Sequence, residues 1–265
     1  MTPRPATAQP AQYPRLMTAA HRCLVDLMTS VPALDPHVWF EQRQGAFGMV
    51  THVPFPTLNG VWLHDSSATT SDVTELLDAL PAEGMMHCLQ AAPGVRESAT
   101  AIAEARGMTP GPDVPLMVLD RVPAEVKTSG LRIRELGRPE FDLRTEVAAA
   151  AFETDPADMR AATALFSRVP GYRMYIGDVD GQPVTTAVSI ATGEGVGIFD
   201  VATPPEHRGH GYGAAITAHA IRDGLAAGAR FSWLQSSPEG YGVYERLGFV
   251  TVEEWGLWIA MGHAE

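Results

Sequence analysis

Between Phe199 and Ala215 the sequence Phe-Asp-Val-Ala-Thr-Pro-Pro-Glu-His-Arg-Gly-His-Gly-Tyr-Gly-Ala-Ala takes an apolar strand into an alanine-rich helix through a turn that holds Gly209, Gly211 and Gly213. Strand, tight turn and helix in that order commit this part of the chain to an α/β architecture. They also aim several backbone N–H groups and the positive end of a helix at one spot, which makes an anion site. The glycines leave room for close approach, and Arg208 can either order the turn or assist an anionic group. Taken alone, the three glycines fit a merely structural turn equally well.

Two phosphate-binding motifs can be weighed on residues alone. The P-loop needs a lysine after its last glycine, and the only lysine of the chain, Lys127, is nowhere near this turn. The dinucleotide fingerprint matches in its alanine variant through Gly209, Gly211 and Ala214. It also requires an acid at the end of the following strand, where Gln235 and Ser236 stand, and too little sequence follows to complete a doubly wound sheet.

A third pattern fits better. Arg208-x-x-Gly211-x-Gly213 resembles the [QR]-x-x-G-x-[GA] signature of the GNAT acetyltransferases. Downstream, Ser236-Ser-Pro-Glu-Gly-Tyr-Gly-Val-Tyr-Glu-Arg-Leu-Gly-Phe249 is similar to that family's closing motif, a helix that carries a tyrosine and ends in Leu-Gly-Phe. The resemblance covers residues 131–260. It implies a mixed central sheet flanked by helices and a turn, Arg208, Gly209, His210, Gly211, Tyr212, Gly213 and Ala214, that holds the pyrophosphate of acetyl-CoA. It further implies that the main chain of Val201, Ala202 and Thr203 pairs with the pantetheine amides, and that a backbone N–H near Val201 meets the thioester carbonyl. Tyr244 matches the proton donor to the departing thiolate. At Ser237 many members have asparagine. Serine there can cap the helix with Pro238 in its first turn, or Ser236 can form a capping box with Glu239.

The implied reaction is direct transfer of an acetyl group to a primary amine in a ternary complex, the acceptor being a small molecule or a protein. For the base, Asp200 is the acid on the strand that enters the turn, while Glu194, His210, His219 and a water chain stay open. A non-catalytic acyl-CoA sensor or interaction module is the competing reading. Retention of Tyr244 favours the enzyme, since binding alone does not require the phenol.

A formal net charge of −12 with no basic stripe argues against nucleic acid or an anionic membrane as partner. Cys23 and Cys88 lie far apart without a signal-peptide pattern, which predicts free thiols and a cytoplasmic protein, and residues 1–14 read as a loose tail. His207 and His210 lack the further ligands of a metal site, so no metal is expected. A homodimer is compatible with this reading.

The polar segment 120–130 is a linker by composition and divides the chain into residues 1–125 and 126–265. Before it, periodicity predicts helices over 17–28, 74–80 and 95–106, and strands within 49–64 and over 85–90 and 116–119. After it come a strand (131–134), helices over 140–152 and 158–168, and strands over 173–179, 184–191 and 196–202. A helix over 211–227, a strand (231–234), a helix (238–247) and two closing strands complete the pattern. The first half has no Arg-x-x-Gly-x-Gly turn, yet it ends in Ala105-Arg-Gly-Met108, which looks like a worn Leu-Gly-Phe turn. It is read as a smaller, degenerate, truncated GNAT-like α/β lobe, as in tandem members of the superfamily, one that binds no acyl-CoA of its own.

Overall fold

The computed structural model describes residues 13–261, so nearly all of the expected N-terminal tail lies outside the described residues. The first half forms α1 (Pro14–Ser30), β1 (Trp39–Arg43), β2 (Ala46–Val50), β3 (Asn59–Leu63), α2 (Thr70–Ala79), β4 (Met86–Ala91), α3 (Arg96–Ala105), the two-residue β5 (Thr109–Pro110) and β6 (Val114–Leu119). The second half forms β7 (Arg132–Leu136), α4 (Phe141–Phe152), α5 (Pro156–Phe166), β8 (Tyr172–Val179), β9 (Gln182–Thr192) and β10 (Gly195–Ala202). After these come α6 (Tyr212–Ala226), β11 (Phe231–Gln235), α7 (Pro238–Leu247) and β12 (Val250–Met261).

Local chemistry explains most of these boundaries. Asp180 and Gly181 both take positive φ, 52° and 82°, and give the tight turn that joins β8 to β9. Helix α7 ends where Gly248 adopts φ 98°, a left-handed cap that a side chain would strain. Strand β1 escapes sequence patterning because it is a partly exposed edge, held by its antiparallel ladder to the wholly buried β2.

The two halves repeat one topology. In the first, β1, β2 and β3 are antiparallel neighbours and β4 joins β3 in parallel; in the second, β8, β9 and β10 are antiparallel neighbours and β11 joins β10 in parallel. Each half then borrows its last inner strand from the other. Strand β6 lies between β11 and β12 in the second half's sheet, and the far end of β12 lies between β4 and β5 in the first half's sheet. The result is one twelve-stranded sheet in the order β1-β2-β3-β4-β12-β6-β11-β10-β9-β8-β7, with β5 on β12.

The strand expected over 116–119 is present within β6 and pairs with β11 and β12 of the second half. The expectation of two closing strands is corrected. A single strand runs from Val250 to Met261, because the bulge between Thr251 and Glu253 bends the chain without turning it, and Gly256 continues extended onto β4.

Helix α1 fills the space between the halves. Its buried face, Ala20, Cys23, Leu24, Leu27 and Met28, joins a core that also holds Trp62 and Trp258 with Trp233 and Trp255. Trp233 is fully buried and donates Nε1–H to Thr192 Oγ1 at 3.0 Å, which makes it a core residue whose one polar group is satisfied. Both cysteines are free and buried. Burial pushes the Cys88 thiol up to about 12, and the Cys23 thiol, also raised by burial, donates to the Thr192 carbonyl at 3.0 Å. Neither is a nucleophile in waiting.

Candidate active site

The site begins where two parallel strands part. Strands β10 and β11 are in register only from Gly195, Val196 and Gly197 to Phe231, Ser232 and Trp233, although β10 runs on to Ala202 and β11 to Gln235. On its other side β10 stays paired to β9, but Phe199 faces Val188 and Ala202 faces Thr186. Asp200 and Val201 therefore oppose Ala187 alone. This one-residue bulge bends β10 away from β11 and puts Asp200 at φ 47°, a left-handed conformation that is uncommon outside glycine. A wedge opens between the strand ends, with the unpaired main chain of Val201 on its wall.

At the top of the wedge the chain enters the glycine turn. Gly209 and Gly211 both sit at positive φ, 83° and 81°, and Gly211 is the residue from which α6 starts. No side chain caps that start, so the first N–H groups of a fifteen-residue helix point outward without an intrahelical partner. Gly213 lies over Thr203 and Val201, 3.5 and 3.9 Å from where a Cβ would stand, which binds the helix start to the strand end. Arg208 donates from Nε to the Thr203 carbonyl at 3.1 Å and from Nη2 to the Ala151 carbonyl at 3.0 Å. Of its two sequence-level roles, the structure gives it the ordering of the turn. His210 turns Nδ1 onto the Arg208 carbonyl at 2.9 Å and stacks on Tyr212. The linker passes close by, with Thr128 Cγ2 3.4 Å from the position of a Gly211 Cβ.

Helix α7 closes the opposite wall. Ser237 caps it by accepting from the Gly240 N–H at 3.2 Å, with Pro238 in the first turn. Ser236 instead donates to the Ser237 carbonyl at 2.8 Å. The cap thus falls on Ser237. Further along the same helix, Tyr244 packs edge-on against Phe249, ring centroids 5.9 Å apart. Burial pushes its phenol up to about 12, and the Asp200 carboxylate adds to the rise. Tyr244 on α7 and Val201 on β10 pack against one cluster with Leu234 and Phe249.

Asp200 has a partner that motif reading missed. Its Oδ2 accepts from Nη2 of Arg144, a fully buried arginine on α4 whose Nη1 also donates to Thr163 Oγ1 on α5. Tyr172, at the start of β8, is raised by burial and feels both charges, lowered by Arg144 and raised by Asp200. Nothing in the sequence marks Arg144, which stands among Asp142, Thr145 and Glu146 in the polar first half of α4. The other base candidates lie elsewhere: Glu194 pairs with Arg230 at 3.2 Å at the far end of β10, and His219 faces Tyr175 and Asp223 on α6.

The corresponding place in the first half is built differently. Strand β3 stays in register with β4 to its last residue, Leu63 opposite Ala91, so no wedge opens. The start of α2 is filled by its own side chains. Thr69 accepts from the Asp72 N–H at 3.1 Å and Asp72 Oδ2 accepts from the Thr69 N–H at 2.8 Å, which puts a carboxylate where an anion would bind. Among the described residues no helix is long and apolar enough to cross a membrane.

Residues 170–251, from just before β8 to the start of β12, match the family model of the acetyltransferase (GNAT) domain. No curated protein matches the sequence. Among solved structures, a GCN5-related N-acetyltransferase from Kribbella flavida is 20% identical, with a TM-score of 0.69 over 93% of this chain and 95% of that one. A GCN5-related N-acetyltransferase from Sphaerobacter thermophilus is 17% identical, with a TM-score of 0.59 over 93% and 95%. A tandem GNAT protein from the clavulanic acid biosynthesis pathway is 15% identical, with a TM-score of 0.56 over 91% and 89%. Residues 170–251 therefore match a GNAT acetyltransferase domain, in a chain whose two exchanged halves together share the fold of these GNAT structures, the tandem protein included.

Proposed function

We propose that this protein is an N-acetyltransferase that moves an acetyl group from acetyl-CoA to the primary amine of an acceptor by direct transfer in a ternary complex. The observation that carries the reading is the wedge between β10 and β11, which runs into the uncapped start of α6 and has Tyr244 on its far wall. A helix start with two left-handed glycines suits a pyrophosphate, and a strand that has lost its neighbour suits the amides of a pantetheine arm.

In this account the turn of Arg208, Gly209, His210, Gly211, Tyr212, Gly213 and Ala214 holds the pyrophosphate, with Arg208 shaping it from behind. The main chain of Val201, Ala202 and Thr203 lines the arm, and Ser237 fixes the start of α7 beside it. The neutral amine attacks the thioester carbonyl, and the oxygen that gains charge is met by the backbone N–H near Val201. As the C–S bond breaks, Tyr244 gives its proton to the sulfur and is reprotonated from solvent after CoA leaves. In water the phenol lies about 1.5 units above a thiol, an uphill transfer of about 2 kcal/mol. The burial that raises Tyr244 raises a thiolate in the same space as well, so the gap widens by less than the phenol's own shift. Asp200, with 44% of its side chain exposed, is the counter-charge that draws the arriving ammonium, whose proton passes to water before attack.

Two buried, unpaired thiols fit a reducing cytoplasm. The test is release of free CoA thiol from acetyl-CoA across a panel of primary amines, with the acetylated product identified by mass. Amine-dependent release supports the reading; CoA binding with no turnover on any amine would favour the sensor instead.

A further inference from the structure

The Arg144–Asp200 pair joins a fully buried guanidinium to the one residue of β10 that sits at the bulge with left-handed φ. A buried charge is tolerated only with a counter-charge and satisfied hydrogen bonds. Arg144 has Asp200 for the first, and Thr163 Oγ1 and Met159 Sδ for the second, while its Nε has no partner among the described residues. No other ion pair of Arg144 is present among the described residues, so the guanidinium depends on Asp200 reaching it. A β10 without the bulge would shift Asp200 along the pleat and leave the charge uncompensated, because each one-residue step in a strand reverses the face a side chain occupies.

We propose that Arg144 is a positioning residue: its buried charge holds Asp200 in the left-handed bulge, and the bulge keeps β10 apart from β11 so that the wedge stays open for the pantetheine arm. This rests on the acetyl-CoA reading above. The anchor comes from outside the strand it shapes, since Arg144 lies on α4 and is itself held by α5 through Thr163. The pair of helices α4 and α5 thereby sets the geometry of the cofactor side. Arg144 is thus the charged link from α4 to β10, beside the Arg208 hydrogen bond to the Ala151 carbonyl that ties the end of α4 to the turn.

Calorimetric binding of CoA to the full chain tests it, with melting temperature as the second readout. Arg144→Met keeps the side chain's length among apolar neighbours and leaves Asp200 free to turn to water, so the fold survives. CoA affinity is expected to fall about tenfold, on the scale of one lost well-placed interaction. Adding Asp200→Gly to that variant is expected to recover affinity to within about threefold, because glycine takes positive φ without strain and restores the bulge unaided. Asp200→Gly alone is expected to lower the melting temperature sharply by stranding the guanidinium, and Arg144→Met to reverse that loss. Arg144→Lys, a point charge without the fork that reaches Asp200 and Thr163 together, is expected to fall between wild type and Arg144→Met. Wild-type affinity in Arg144→Met, or a double variant that stays as weak as the single one, overturns the proposal. Absence of CoA binding in wild type instead removes the reading on which it rests.

Discussion

Leu116 stands opposite Gln235 in an antiparallel ladder, so the strand that ends the first half of the sequence is an inner strand of the second half's sheet. The halves are exchanged rather than docked, since β12 makes the reverse crossing and pairs with β4 through Gly256 and Ala91. Deleting residues 1–125 therefore removes the strand between β11 and β12 and bares two ladders as well as the core face that α1 covers. The fragment is expected to aggregate. Size-exclusion chromatography and far-UV circular dichroism check this, and a folded, monomeric fragment 126–265 that binds CoA contradicts it.

Tyr244→Phe keeps the ring on Phe249 and removes only the phenol hydroxyl, with the proton it carries. Turnover should fall by about 10²- to 10⁴-fold with CoA affinity nearly unchanged. With its phenol pushed up to about 12 by burial, Tyr244 stays protonated through neutral and mildly alkaline pH and keeps its proton to give. The sign for stability follows from the same shift. A folded value above the ordinary 10 means that the neutral phenol is favoured by the fold, a contribution present below about pH 10 and lost as pH rises through about 12. Phenolate absorbance of wild type minus that of the variant should show one group ionising late. Ionisation of that group near pH 10 would contradict its buried placement.

Gly211→Val puts a β-branched side chain at φ 81°, at the helix start where a phosphate has to approach closely, and against Thr128. CoA binding should become undetectable by calorimetry while the far-UV spectrum is retained. Wild-type affinity in a folded variant would move the anion site elsewhere.

Thr69→Ala removes the cap of α2 in the first half. It should cost about 1 kcal/mol in denaturant unfolding and leave CoA affinity unchanged, because that helix start holds its own carboxylate rather than a ligand. A change in CoA affinity as large as the change in stability would show that the first half shares in the cofactor site.

Much of the fold and of the site is legible in the amino-acid sequence, for reasons that differ by element. The turn of residues 208–214 and the helix that follows are legible because three closely spaced glycines with Arg208 stand between an apolar strand and an alanine-rich helix, and a second motif follows at Ser236–Phe249. Helix α7 is marked at both ends, by Ser237-Pro238 and by Gly248. What escapes is whatever depends on contact between distant segments. The residues of β6 read as an ordinary apolar strand, and nothing in Val-Pro-Leu-Met-Val-Leu says which sheet will take it. The bulge at Asp200 is set by register against β9, and Arg144 is anonymous in α4 until Asp200 is brought to it by the fold.

The central claim is a single acetyl-CoA site at the wedge, and titration of the full chain with CoA tests it most directly. The account predicts one mole bound per mole of chain, abolished by Gly211→Val and left intact by Thr69→Ala. No binding, or two moles per chain, would contradict it.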